Sequence, residues 1–186
     1  MSHFEYVSVA TALIYALAIG RLLGGLAPAM EAGRRYWVHL IWVFVLLLVA
    51  VMAWWIMWRT SGVTWTPLKF LWALSLPAFV FVRASILLGN SNDPPVSYFD
   101  HYYEKRTLFF GVGLGVAIFI IFTPWIFQSR PWFAMAPVHP SAAGLLTISA
   151  IGLFSRSHGV HAVIAVFSLI SATAAFFAIP VSTPVG

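Results

Sequence analysis

Two arginines lie inside otherwise apolar stretches of the sequence, and they are the residues best placed to carry chemistry. Arg21 follows Gly20 within one apolar run, and Arg83 follows Pro77 by six residues in another. An arginine at the centre of a membrane-spanning helix costs at least about 2.5–3.5 kcal/mol on insertion scales, and less if it reaches the interface. Two interpretations stay open: a paired cationic site for an anionic ligand or lipid headgroup, or arginines that snorkel and cap backbone carbonyls.

Histidines form a second candidate site. His39 and His161 each lie just inside an apolar segment, at similar distances from the same end of the predicted helices. Two imidazoles at one depth could ligate a haem iron from both sides, and one could bind a chlorophyll-type magnesium. Equal depth does not establish that the helices face each other, and histidines bonded to headgroups or carbonyls are the alternative. Haem or pigment binding by this pair is therefore a hypothesis, and the sequence requires no cofactor.

A third cluster could hold a metal ion. Asp100, His101 and Glu104 fall on one helical turn, and their side chains are ligands for divalent metals. The alternative is a solvated helix start in which Glu104 interacts with the adjacent Lys105 and Arg106.

Other kinds of chemistry find little support in the sequence. The chain has no cysteine, which excludes disulfides and thiolate sites. It has no Ser–His–acid set, HExxH sequence or glycine-rich phosphate loop. No Asp or Glu falls within a predicted helix core, which argues against a transporter that uses intramembrane carboxylates as proton relays. We therefore expect no enzymatic activity.

The elements that position these residues are predicted from hydrophobicity. Of 186 residues, 61% are hydrophobic and 8% are charged, against roughly 25% charged in soluble domains. Segment 36–58 is long enough for a ~30 Å hydrocarbon core, with aromatic residues at both ends and arginines on either side. We predict one all-α domain, an integral membrane bundle of six transmembrane helices with short loops. The predicted helices cover residues 4–29, 36–58, 67–89, 107–127, 141–154 and 160–179.

Local signals refine these helices. Pro67 suits the first position of helix 3, and Pro77 should kink that helix. Ser97 and Asp100 fit a helix start that leads into helix 4. Helix 5 is short for a full span, so a re-entrant segment stays open as an alternative that would place the C-terminus in the cytoplasm.

Small side chains recur on two helices. Such stripes let helices approach closely in a membrane, either inside this bundle or in a homodimer. The predicted helix-packing residues are Ser8, Ala12, Ala16, Gly20 and Gly24 on helix 1, and Gly111 and Gly115 on helix 4, with Gly113 and Ala117 beside them.

Basic residues and tryptophans predict an orientation. The loops that follow helices 1, 3 and 5 hold five Lys or Arg against three on the other face. The positive-inside rule then places both termini outside. The tryptophans of the outer face form an aromatic belt or a contact for a partner, pigment or quinone. They are Trp54, Trp55, Trp58, Trp65, Trp72, Trp125 and Trp132.

Three stretches of the chain carry a resemblance. They are FEYVSV…LAIGRLLGGL, RRYWVHLIWV…AWWIMW, and the Asp-Pro-Pro segment with YFDHYYEKRTLFFG. Together they resemble a group of small, uncharacterised bacterial polytopic membrane proteins. The resemblance implies a bacterial inner (cytoplasmic) membrane and a six-helix or five-helix bundle. It implies no activity and no site residue.

The sequence thus favours a non-catalytic accessory or assembly subunit of a larger membrane complex. Its expected partners are the lipid bilayer and other membrane subunits or further copies of itself, and not nucleic acid. The alternative is a small permease or channel for an anion or amphipath that uses Arg21 and Arg83. A third reading is a haem- or pigment-binding membrane protein that uses His39 and His161.

Overall fold

The computed structural model of the protein describes residues 2–90, 92–128 and 140–178. These residues form helices joined by short loops, with no strand in the described ranges. The all-α prediction is therefore confirmed. The helices are α1 (His3–Met30), α2 (Trp37–Ile56), α3 (Pro67–Leu88), α4 (Tyr98–Gln128), α5 (Pro140–Phe154) and α6 (His158–Ala178), with a 3₁₀ helix at Met57–Thr60 that extends α2.

Within the described residues, five helices are long and apolar enough to cross a membrane, namely α1, α2 with its 3₁₀ extension, α3, α4 and α6. The exception is α5, whose 15 residues rise about 22 Å, less than the ~30 Å of a hydrocarbon core. The chain is thus a multi-pass membrane bundle by the length and composition of its helices. The short fifth helix is the one that the sequence predicted to be short.

Helix ends follow the local signals in the sequence. Thr66 caps α3 by accepting a hydrogen bond from the Lys69 amide at 3.3 Å, and Pro67 occupies the first turn. Ser97 Oγ accepts from the Asp100 amide at 3.3 Å, and α4 begins directly afterwards at Tyr98. Helix 4 therefore starts well before residue 107, because the polar lead-in and the apolar span form one continuous helix of 31 residues.

The third helix lies at the centre of the packing. It contacts α1, α2 and α4, while α4 carries α5 on another side and α2 carries α6. The core between these helices is dominated by aromatic and aliphatic side chains. Its largest fully buried members include Trp42, Tyr102, Phe109, Phe110 and Leu46.

The C-terminal half of the predicted stripe on α1 does not pack inside the bundle, and its use in a homodimer stays a prediction. Ala16, Gly20 and Gly24 are exposed, and a Cβ added at either glycine would meet no atom within 4 Å. The reason is geometric, because steps of four residues drift about 40° around a helix of 3.6 residues per turn. Ser8 and Ala12 are half-buried, and the stripe then rotates out of the bundle.

The buried face of α1 uses mixed steps of four and three residues instead, which keeps it turned towards one side. Its close approach is at Gly25, where an added Cβ would lie 2.6 Å from the Leu88 side chain of α3. The face comprises Val7, Thr11, Tyr15, Ala18, Leu22, Gly25 and Ala29.

On α4 the packing glycine is also displaced from the prediction. A Cβ added at Gly111 would meet nothing within 4 Å, and one at Gly115 would meet only Phe79, at 3.8 Å. The close approach is at Gly113, while Ala117 is fully buried on the same helix. The residues beside the predicted pair therefore form the contact.

Candidate functional site

The histidines are placed as helix caps. The last turn of any helix leaves its final carbonyls without an intrahelical partner. At the end of α3, His39 Nε2 lies 2.9 Å from the Leu87 carbonyl oxygen, and His101 Nε2 lies 3.0 Å from that of Ile86. A carbonyl can only accept, so Nε2 carries the proton in both rings. These contacts favour the structural alternative for both histidines.

Arg21 completes the same helix end. Its Nη2 donates to the carbonyl of Gly89, the residue that terminates α3 with a φ of 70°. Positive φ favours glycine, and a Cβ there would also lie 3.1 Å from the His101 ring. Arg21 is therefore a capping residue, as the second interpretation of the sequence proposed, and the structure does not pair it with Arg83 in one site.

The end of α5 is capped in the same manner by Arg106. Its Nη1 donates to the carbonyls of Leu153 and Ser155 at 2.8 Å each, and more weakly to that of Gly152 at 3.4 Å. Arg106 is buried, at 8% exposure. The two N–H bonds of Nη1 are therefore satisfied by carbonyl oxygens.

His161 belongs to a chain of hydrogen bonds in the core. Trp42 Nε1 donates to the Tyr102 hydroxyl at 3.2 Å, and that hydroxyl lies 2.9 Å from His161 Nδ1. His161 Nε2 lies 3.0 Å from the Ser155 carbonyl oxygen and must donate to it. Both ring nitrogens are therefore engaged. The pairing of His39 with His161 as haem ligands is not supported, because His161 has no free nitrogen for an iron.

The proposed metal cluster is also not supported. Among residues 2–90, 92–128 and 140–178, no group of three or more His, Asp or Glu side chains could hold a metal ion. The ring of His101 faces the α3 carbonyl, while Asp100 is exposed and Glu104 pairs with Lys105. The three residues lie on one turn of α4, but their side chains point to different partners and do not form one site.

The tryptophans that the sequence predicts at the outer face divide into two groups. Trp54, Trp55 and Trp58 are about half or more exposed, as expected of interfacial anchors. Trp72 instead packs inward, stacked on Phe119 with ring centroids 4.6 Å apart. Trp65 and Trp125 are half-buried too, with rings near Phe127 and Phe122 respectively, and Trp132 lies outside the described residues.

Arg83 differs from these candidates. It is 6% exposed, yet its Nε and Nη2 have no hydrogen-bond partner. Its Cζ lies 4.3 Å from the centroid of the Phe109 ring and 5.9 Å from that of Trp42. All side-chain carboxyl groups of the protein are exposed, so none of them can neutralise this buried charge. They belong to Glu5, Glu31, Asp93, Asp100 and Glu104.

The aromatic rings compensate only part of the cost of burial. A desolvated cation–π contact contributes about 2 kcal/mol. The effective penalty for burying one ion, even after relaxation, is several kcal/mol. Arg83 thus retains an unsatisfied charge and unsatisfied donors in the described structure.

Two small residues complete the surroundings of Arg83. A Cβ added at Gly113 would lie 2.6 Å from Ser149 Oγ and 3.7 Å from Arg83 Cζ. Ser149 is fully buried, and its hydroxyl also lacks a partner. The guanidinium of Arg83 on α3 and the hydroxyl of Ser149 on α5 therefore lie close together beside Gly113 of α4. Because all of these donors are unpaired and no acid is buried nearby, the arrangement is suited to holding an anion.

Sequence reasoning singled out Arg83 but missed Ser149. Serines in apolar helices often bond to the carbonyl four residues earlier, as Ser168 does with Ile164 at 2.6 Å. Sequence alone gives no sign that Ser149 departs from this habit. Comparison of the chain with protein-family models, curated proteins and solved structures finds no match.

Proposed function

We propose that the protein is a small permease or channel for anions, with its binding site at Arg83 and Ser149. The observation that carries the proposal is the buried Arg83 guanidinium, whose Nε and Nη2 are unpaired while all Asp and Glu side chains of the chain are exposed. A buried charge that has neither a counter-charge nor hydrogen-bond acceptors is costly, so we infer that an anion from outside the chain supplies both. Arg21 is not part of this site, because its guanidinium caps α3.

Anion uptake into proteoliposomes tests this function. Radiolabelled chloride and acetate are offered to vesicles that contain the protein, and to vesicles without it. Arg83→Leu should lower protein-dependent uptake about 10-fold or more, the value of one charge-assisted hydrogen bond. Arg59→Leu is the matched control, since it removes the same charge from an exposed position. Uptake that is absent with both anions, or unchanged in Arg83→Leu, would refute the proposal.

A second candidate is the accessory or assembly subunit, again without catalytic activity. It is supported by the outward stripe of Ala16, Gly20 and Gly24, which is available for close approach by a helix of another chain. Native mass spectrometry of the gently extracted protein tests it. The proposal requires masses above 20.6 kDa that resolve into other polypeptides and that disappear with Gly24→Leu. A monomer alone would contradict it.

We propose further that the protein lies in the inner membrane of a bacterium with its N-terminus outside, in keeping with the basic loops and the resemblance. Because the chain has no cysteine, single introduced cysteines report topology cleanly. An impermeant maleimide should label Gly62→Cys in intact cells and Ala32→Cys only after lysis. Both positions are exposed. The reverse pattern of labelling would contradict the orientation.

A further inference from the structure

We propose that the anion is a monocarboxylate, held side-on by the Nε–Nη2 edge of Arg83. This inference rests on the proposed function and narrows it to one class of ligand. The two unpaired nitrogens are the ones that share an edge of the planar guanidinium. Their N–H bonds point the same way with the spacing of two oxygens on one carbon, which is the bidentate geometry that arginine forms with carboxylates.

The charge of the site favours a monoanion. Arg83 supplies one positive charge, and the other buried arginine of this region, Arg106, directs its Nη1 to the carbonyls that end α5. A dianion such as hydrogen phosphate would keep one unit of uncompensated charge in the bundle, at a large desolvation cost. A carboxylate neutralises the guanidinium completely.

The surroundings also suit a carboxylate with an apolar substituent. Ser149 Oγ is a third donor beside the guanidinium, and it can bond to an oxygen of the same anion. Phe109 covers one face of the guanidinium, and its ring is fully apolar. The missing side chain at Gly113 lets the Ser149 hydroxyl and the guanidinium lie close together against α4, because a Cβ there would lie 2.6 Å from the hydroxyl oxygen.

The site lies near one end of the bundle. Arg83 and Ser149 each come five residues before the last residue of α3 and α5, and Trp42 comes five residues after the start of α2. That spacing corresponds to a depth of about 7.5 Å below the helix ends. A ligand can reach this depth from the water phase or from the lipid. Both small water-soluble acids and fatty acids are therefore candidates, because both carry the carboxylate that Arg83 would bind.

Equilibrium binding of radiolabelled acetate to the full-length protein in detergent tests the proposal. We expect acetate to be displaced by unlabelled propionate, and at least about 10-fold less well by chloride, phosphate or the neutral ester methyl acetate, which cannot engage the fork. Laurate that competes better than propionate would assign the carboxylate to a fatty acid. Propionate that competes better would assign it to small water-soluble acids.

Arg83→Lys separates this inference from the proposed function. Lysine keeps the charge but has no two-donor fork, so acetate binding should weaken about 10-fold while chloride binding persists. Ser149→Ala provides a second variant with little risk of misfolding, since it removes a hydroxyl that has no partner. It should weaken acetate binding about 3-fold to 10-fold.

The outcomes distinguish the two proposals. A wild-type protein that prefers phosphate or chloride over acetate would overturn the carboxylate assignment and leave the anion site intact. So would an Arg83→Lys variant with the acetate preference of the wild type. Failure of every anion to bind in an Arg83-dependent manner would overturn both.

Discussion

Replacement of Arg83 by methionine should stabilise the protein in the absence of ligand. Methionine retains much of the volume and removes a charge that is 6% exposed and has no acidic partner. Relief of the buried charge is worth several kcal/mol, and the lost contact with the Phe109 ring subtracts about 2 kcal/mol. The expected net gain is about 1–3 kcal/mol. For a chain of this size, that corresponds to a rise in Tm of roughly 2–12 °C.

Arg106→Met is the matched comparison. Arg106 is buried to a similar degree, at 8% exposure, but it donates to carbonyls at the end of α5. Its removal leaves the half-buried carbonyls of Leu153 and Ser155 without that donor and should destabilise the protein by about 1–3 kcal/mol. The two substitutions delete the same side chain and are expected to shift stability in opposite directions.

The assay is the loss of monodisperse protein on size-exclusion chromatography after heating in detergent without added anions. It is repeated with sodium acetate, which should raise the Tm of the wild type and not that of Arg83→Met. If Arg83→Met lowers the Tm as much as Arg106→Met, then the Arg83 side chain is structurally satisfied. Such a result would mean that Arg83 needs no external anion.

Two further substitutions test the packing and the caps. Gly25→Ala should lower the stability of the protein by about 1–3 kcal/mol, because the new Cβ would lie 2.6 Å from the Leu88 side chain. Gly24→Ala should leave stability unchanged, because a Cβ there has no neighbour within 4 Å. Equal thermal unfolding temperatures for the two variants would contradict the described packing of α1 on α3. His39→Phe keeps a ring but leaves the Leu87 carbonyl unpaired, so it should cost about 1–3 kcal/mol. His39→Gln retains a donor and should lose less in the same assay.

The sequence predicts the class and most helix ends because these depend on local properties. Hydrophobic length, Thr66 with Pro67, and Ser97 with Asp100 each act within a few residues. The prediction of which face packs was less successful. The small residues of α1 suggested a contact face, but the four-residue step carries Gly24 away from α3 while Gly25 faces it. A one-residue difference in register decides burial, and composition alone does not specify it.

The candidate site was predictable in part for a different reason. Arg21, Arg83, His39 and His161 all have the same sequence signature, a polar group in an apolar helix. What separates them is the availability of a carbonyl acceptor at the end of another helix, which depends on tertiary packing. Three of the four find such acceptors, and Arg83 does not.

The cap on α3 has a consequence for the biogenesis of the protein. Its donors come from α1, α2 and α4, and the last of them, His101, is synthesised after α3 itself. Until α4 has been synthesised, the Ile86 carbonyl lacks its donor, and the capping of the C-terminus of α3 is incomplete. Insertion into the bilayer and completion of this helix end are therefore separate events. A chain truncated before His101 would insert α3 with an uncapped C-terminus, and we expect membrane quality-control proteases to degrade it faster than the full-length protein.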